Sequence, residues 1–283
     1  MPLRVDFEKG QHAPCGEMGE LLARQLRRSL RGLAIAAAAL YGLWEHRKLG
    51  CDASRAECAE WLHQSCARGL SAIHVHLSSA GALPSHGLIV SNHLSYLDIL
   101  VMSAAVPCVF VSKAEVEQWP IFGRYARWAG SVFVRRHDQE DAARANASVA
   151  EALKIGVPVV LFPEGTTTDG QSVLRFHSTM LQPAIDAGAL VTPCSIRYEL
   201  DNGVVEREVC WWGDMALLGH ALNLLAKKTI RATIAFGEPM PATGDRQQLS
   251  QTLHRAVLRL HQQLRSSGKT GLVDSAAAPP HSE

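Results

Sequence analysis

The chain of 283 residues has no Cys-x-x-Cys pair among its seven cysteines, Cys15, Cys51, Cys58, Cys66, Cys108, Cys194 and Cys210. An odd count without paired spacing argues against both a disulfide framework and a zinc ribbon, and points to a reducing, cytosolic environment. Excess charge of either sign is lacking too, with 28 Lys and Arg facing 27 Asp and Glu. No broad field draws nucleic acid, so none is expected as a partner and any anion site has to be local. The G-x-S-x-G elbow of serine hydrolases is missing, and no internal repeat of useful period is visible.

A long apolar run is also wanting near the N-terminus. The uncharged stretch from Gly32 to Trp44 has 13 residues, which in a helix covers roughly 20 Å, short of the ~30 Å hydrocarbon core. A secretory leader is not expected, because more than twenty mixed residues come first and no small-residue cleavage site follows. Arg24, Arg27, Arg28 and Arg31 precede the run, and His46, Arg47 and Lys48 follow it. This reads as a helix at a membrane interface, with basic residues for anionic lipid and Tyr41 and Trp44 as anchors, or else as a buried Ala-rich core helix.

What is present is ample core material: 47% apolar and 19% charged residues make the chain globular. An irregular lead-in is expected over 1–19, and a second amphipathic helix over 54–69 that could form a hairpin with the first. From about residue 72 short β-type runs alternate with helical stretches. The runs are Ile73–Leu77, Gly87–Ser91, Cys108–Ser112, Ser131–Val134, Val157–Phe162, Leu190–Ile196, Glu208–Trp212 and Thr229–Phe236. Alternation of this kind predicts an α/β fold with a mixed, mostly parallel sheet flanked by helices. The expected division is 1–70 as N-terminal membrane-associating helices, 71–265 as the catalytic domain, and 266–283 as a disordered Ser, Gly, Ala and Pro-rich tail.

Three segments carry candidate chemistry. A buried-type strand, Gly87 to Ser91, runs into Asn92-His93-Leu94-Ser95-Tyr96-Leu97-Asp98, at the carboxyl end of a strand where open α/β sheets bind ligands. Histidine suits proton abstraction from an alcohol near neutral pH, and a carboxylate on its other nitrogen fixes the tautomer. Five residues turn about 140° around a regular helix, so His93 and Asp98 can meet only if the junction bends. Taken alone, the pattern equally fits a helix capped by Asn92 or Ser95 with an incidental histidine.

The second segment, Gly130 to Arg136, ends a short strand in Arg135-Arg136. Adjacent strand residues face opposite ways, so at most one guanidinium can enter a cleft to bind phosphate. The third is a strand ending in Phe162-Pro163-Glu164-Gly165-Thr166-Thr167-Thr168. Gly165 allows close backbone approach, the threonines offer hydroxyls and amides, and Glu164 is expected to hold Arg136 or the glycerol end of an acceptor. A solvated strand end and an ordinary Asp-Gly turn would explain these two segments without chemistry.

Together the segments resemble the glycerolipid acyltransferase family, of which 1-acylglycerol-3-phosphate acyltransferase is the best-known member. Its Asn-His-x4-Asp signature is matched by Asn92, His93 and Asp98. Its Gly-x-x-Phe-x-x-Arg motif is matched by Gly130, Phe133 and Arg136, its Phe-Pro-Glu-Gly-Thr motif by Phe162 to Thr166, and its Val-x-Pro motif by Val191 and Pro193. The resemblance implies His93 and Asp98 as catalytic residues. It also implies Asn92, Gly130, Phe133, Arg136, Glu164, Gly165, Thr166, Thr167 and Pro193 at the substrate.

The implied reaction moves a fatty acyl group from acyl-CoA or acyl carrier protein to a lysophospholipid, first of all 1-acyl-sn-glycerol-3-phosphate, with no cofactor and no metal. It would take place at the cytoplasmic face of the inner membrane. Thr167 stands where the commonest member has arginine, and Arg175 is a candidate replacement. This version, together with Trp211-Trp212-Gly213-Asp214-Met215, is similar to bacterial relatives that include lyso-ornithine lipid acyltransferases. A non-catalytic lipid-binding protein is the competing class, and it leaves His93 beside Asp98 without an explanation.

Overall fold

A computed structural model describes residues 15–50, 52–119, 122–134, 139–154 and 156–267. Helices are α1 (Cys15–Leu49), α2 (Arg55–Ala72), α3 (Leu97–Ala105), α4 (Phe122–Trp128), α5 (Gln139–Leu153), α6 (Gln182–Asp186), α7 (Val205–Glu208), α8 (Leu217–Leu225) and α9 (Arg246–Ser267). Strands are β1 (Val75–Ala80), β2 (Leu88–Ser91), β3 (Val109–Lys113), β4 (Val132–Val134), β5 (Val159–Leu161), β6 (Leu190–Leu200), β7 (Ile230–Phe236) and β8 (Met240–Pro241).

The strands form one sheet in the order β1-β7-β6-β2-β5-β3-β4, with β8 on β6. All pairings are parallel except β6 with β7 and β6 with β8, so the sheet is mixed and mostly parallel, as expected. Central strands are apolar on both faces, and the period of two divides their side chains between two cores. Ile89, Phe110 and Val160 join Trp61, Leu62 and Leu70 of α2 and Leu97, Val101 and Met102 of α3. Leu88, Val90, Val109, Val111, Val159 and Leu161 join Val149 of α5, Ala184 of α6 and Leu253 and Val257 of α9. A three-layer sandwich results, and each such fully buried aliphatic side chain contributes about 1.5–3 kcal/mol.

Three expectations need correction. The run Glu208–Trp212 is not a strand: α7 ends at Glu208, and Val209 and Cys210 are buried in a loop whose Trp211 N–H donates to the Leu94 carbonyl (2.8 Å). Burial without sheet pairing produced the same apolar signature. The lead-in over 1–19 is helical from Cys15 onward, because α1 continues through the arginines; residues 1–14 lie outside the described residues. The disordered tail expected over 266–283 lies outside the described residues from 268 onward, while Ser266 and Ser267 complete α9.

Arg24, Arg27, Arg28 and Arg31 of α1, expected to meet anionic lipid, make hydrogen bonds within the protein. Arg27 donates to the Ala226 carbonyl, Arg28 to Leu222, and Arg31 to Leu225, Lys227 and Lys228, while Arg24 bonds Asn223. The Leu222 and Leu225 carbonyls belong to the last turn of α8 and those of Ala226, Lys227 and Lys228 follow it; a helix end leaves such carbonyls without intrahelical partners, and positive charge there also suits the macrodipole. At 100° per residue, Leu22, Leu26, Leu33, Leu40 and Trp44 fall within about 40° of one another on the opposite side of α1. They are 64, 60, 69, 67 and 51% exposed. No helix among the described residues is long and apolar enough to cross a membrane.

Candidate active site

The chain leaves β2 at Ser91 and bends before α3 begins at Leu97. Asn92 holds the bend to β6, its Nδ2 donating to the Ile196 carbonyl (3.1 Å) and its Oδ1 accepting the Ile196 N–H (2.8 Å). It does not cap α3, and neither does Ser95, since the residue at the cap is Tyr96 and no side chain bonds there. Both ends of the Asn92 amide are therefore engaged within the protein, buried at the strand junction.

His93 Nδ1 lies 2.7 Å from Asp98 Oδ2. Asp98 is fully buried in the first turn of α3, and Oδ2 also accepts the N–H groups of Leu94 (2.6 Å) and Ser95 (3.0 Å). Its other oxygen accepts the hydroxyl of Tyr198 on β6 (2.6 Å). An ionised carboxylate can only accept, so Nδ1 carries the proton and Nε2 keeps the lone pair. The His93 ring stacks on Phe162 with centroids 4.1 Å apart and 13° between planes. Its side chain is 20% exposed, and Nε2 makes no hydrogen bond with the described residues.

The segment after β5 holds the backbone of the same histidine. Glu164 Oε1 accepts the His93 N–H (2.8 Å), Oε2 accepts the Leu174 N–H (2.7 Å), and the Thr168 N–H donates to the His93 carbonyl (3.0 Å). The carboxylate expected to hold Arg136 or an acceptor's glycerol is thus engaged by two main-chain donors. Burial pushes its pKa up to about 7, against the two N–H groups that lower it and with a further rise from the charge of Asp98. Gly165, at φ +71°, closes a turn with its N–H on the Phe162 carbonyl (3.2 Å), after which Thr166 is exposed and Thr167 half-buried.

The remaining candidates spread along the sheet. Pro193 pairs in register with Val90 and its carbonyl accepts the Gly237 N–H (2.8 Å), so it is a buried sheet residue beside β2. Gly130 ends α4 at φ +73°, with Gly130 N–H on the Arg127 carbonyl and Ser131 N–H on Ala126, the paired bonds of a Schellman motif. Phe133 is half-buried on the edge strand β4, which is parallel to β3 as β3 is to β5. The carboxyl ends of β2, β5 and β4 consequently open to one side. Arg135 and Arg136 lie outside the described residues.

Tyr198 is the functional residue that reading the sequence missed. Nothing local marks it, for it meets Asp98 across 100 residues of chain. A weak signal was its place five residues beyond Pro193 on a strand already assigned to the site. Ser91 and Ser95, each two residues from His93, are fully buried, which removes a serine nucleophile from this loop.

Known proteins match this architecture. Residues 73–197 fit the acyltransferase family model. A lyso-ornithine lipid O-acyltransferase of Pseudomonas aeruginosa is 37% identical over 199 residues, covering 70% of this chain and 75% of the relative. A 1-acyl-sn-glycerol-3-phosphate acyltransferase of Neisseria gonorrhoeae is 36% identical over 157 residues, covering 54% of this chain and 60% of its own length. The crystal structure of a 1-acyl-sn-glycerophosphate acyltransferase from Thermotoga maritima shares the fold, with TM-score 0.63 at 21% identity over 88% of this chain and 98% of that one. With the bent His-Asp junction at the carboxyl edge of the sheet and these relatives on either side of it, the chain belongs to the acyltransferase family that acylates lysolipids.

Proposed function

We propose that this enzyme transfers a fatty acyl group directly from a thioester to the hydroxyl of a lysolipid, with His93 as general base. Nε2 takes the hydroxyl proton while the oxygen attacks the thioester carbonyl. The carbon–sulfur bond breaks, and the imidazolium returns the proton to the departing thiolate. Asp98 orients the ring and stabilises its charged form. The observation that carries this reading is the 2.7 Å bond from His93 Nδ1 to a carboxylate anchored by three further donors. His93→Ala should lower turnover by more than tenfold with an unchanged melting temperature; retention of a tenth of wild-type turnover would defeat the base assignment.

The donor is acyl-CoA or acyl carrier protein. The acceptor is first 1-acyl-sn-glycerol-3-phosphate, the substrate in the name of the Neisseria gonorrhoeae relative. Lyso-ornithine lipid is the second reading, favoured by the longer alignment to the Pseudomonas aeruginosa relative and by Thr167 in place of a cation. A lysolipid panel with one acyl-CoA, read by mass spectrometry, separates the two. The apolar stripe on α1 supports peripheral contact with a membrane surface, proposed as the cytoplasmic face of the inner membrane.

A further inference from the structure

Over 22 residues α9 carries four arginines and two histidines and no acidic side chain. One side of it is fastened to the stretch 173–178. Ser250 Oγ donates to the Phe176 carbonyl (3.0 Å), His254 Nε2 lies 3.1 Å from the Val173 carbonyl, and the two rings of Phe176 and His254 meet edge-on at 5.2 Å. Between helix and stretch runs a groove of about 240 Å³ whose polar wall, Ser250 included, also takes in Arg175, Ser178, Gln247, Gln251, His254 and Arg255, without a carboxylate.

Arg27, Arg68, Arg197 and Arg231 all have acidic partners. Arg175, a candidate cation for the acceptor's phosphate by its place in the sequence, lines this groove instead, apart from His93, Glu164 and Thr166. It and Arg255 are exposed and enter no ion pair with the described residues, among which Arg255 makes one hydrogen bond, from Nε to the Gln251 carbonyl. Two guanidinium groups facing one groove repel each other until an anion lies between them, and their fork geometry matches phosphate oxygens.

We infer that this groove holds the phosphate groups of a coenzyme A-type acyl donor, an assignment that rests on the acyl-transfer reading. Size supports it. Sites for whole ligands run to roughly 300–1,000 Å³, so this groove accommodates one end of an extended molecule. Position supports it as well, because His93, Asp98, Glu164 and Thr166 take no part in the wall. The phosphate of a lysolipid sits a few bonds from its reacting hydroxyl and has to stay beside His93. The phosphates of the donor are separated from the thioester by the whole pantetheine arm. The stretch 173–178 joins the two places, since its Leu174 N–H binds the carboxylate whose other oxygen holds His93.

The test compares full-length wild type with the Arg175→Gln/Arg255→Gln variant, using a fatty acyl-CoA and the matching acyl-pantetheine against one lysolipid. The variant should raise KM for acyl-CoA about tenfold or more, the loss of one or two charge-assisted bonds. It should leave kcat, the lysolipid KM and the acyl-pantetheine KM unchanged, and Arg255→Lys should be nearer to wild type than Arg255→Gln. An unchanged acyl-CoA KM, or a rise confined to the lysolipid, would overturn the assignment. Calorimetric titration with coenzyme A keeps the two readings apart. Binding that weakens in the variant while wild type transfers no acyl group sinks the reaction and keeps the groove; equal binding by both proteins sinks the groove.

Discussion

Tyr198 illustrates how a side chain acts at a distance from the reacting atoms. Its hydroxyl is buried, and burial first, then the charge of Asp98, pushes its pKa well up, so it remains a donor at any pH the enzyme meets. Tyr198→Phe leaves one oxygen of Asp98 buried without a partner, at a cost of about 1–3 kcal/mol. We expect a lower melting temperature and a kcat reduced about tenfold with KM for both substrates unchanged, because orientation matters in the transition state alone; a change confined to KM would contradict this role. Glu164 gives a pH signature. Its folded pKa of about 7 lies above the ordinary carboxylate range, so its contribution to stability is complete below that range and is lost as pH rises through about 7. Glu164→Gln does not titrate and forfeits one acceptor. The melting-temperature gap between wild type and this variant should therefore narrow from pH 5 to pH 8, and thermal melts that show it widening would refute the assignment.

At the scale of elements, the glycine of the second motif belongs to a helix end. A Cβ at Gly130 would sit 3.2 Å from Arg55 Cγ, a flexible neighbour, so backbone conformation decides the cost more than space does. Gly130→Val should destabilise by about 1–2 kcal/mol or more, whereas Gly130→Asn, which tolerates the left-handed region, should lose less in a denaturant titration. The example also shows what the sequence conveyed. Alternation of apolar runs made the α/β sandwich legible, since parallel strands buried on both faces and helices of period 3.6 leave different patterns. The same rule read Val209 and Cys210 as a strand, because burial in a loop looks identical. His93 and Asp98 were legible because both lie within one turn of chain. Partners that are backbone groups, as for Glu164 and Asn92, carry no residue type to read, and Tyr198 is separated from Asp98 by 100 residues of chain.

For the whole molecule, α1 holds two opposed faces, an arginine side tied to the end of α8 and an apolar side turned outward. Leu26→Ser/Leu33→Ser/Leu40→Ser should lessen pelleting with phospholipid vesicles and leave the melting temperature intact, these side chains being exposed already; undiminished pelleting would reject the proposed contact. Removal of α2 would test something else, because Trp61, Leu62 and Leu70 belong to the core. The bonds of Asn92 and Asp98 to β6 carry a consequence for synthesis. A chain emerging from the ribosome displays its histidine about a hundred residues before Ile196 and Tyr198 arrive to brace it. Chemistry therefore has to wait for the distant strand to dock, and a nascent fragment ending short of it would carry the motif yet acylate nothing.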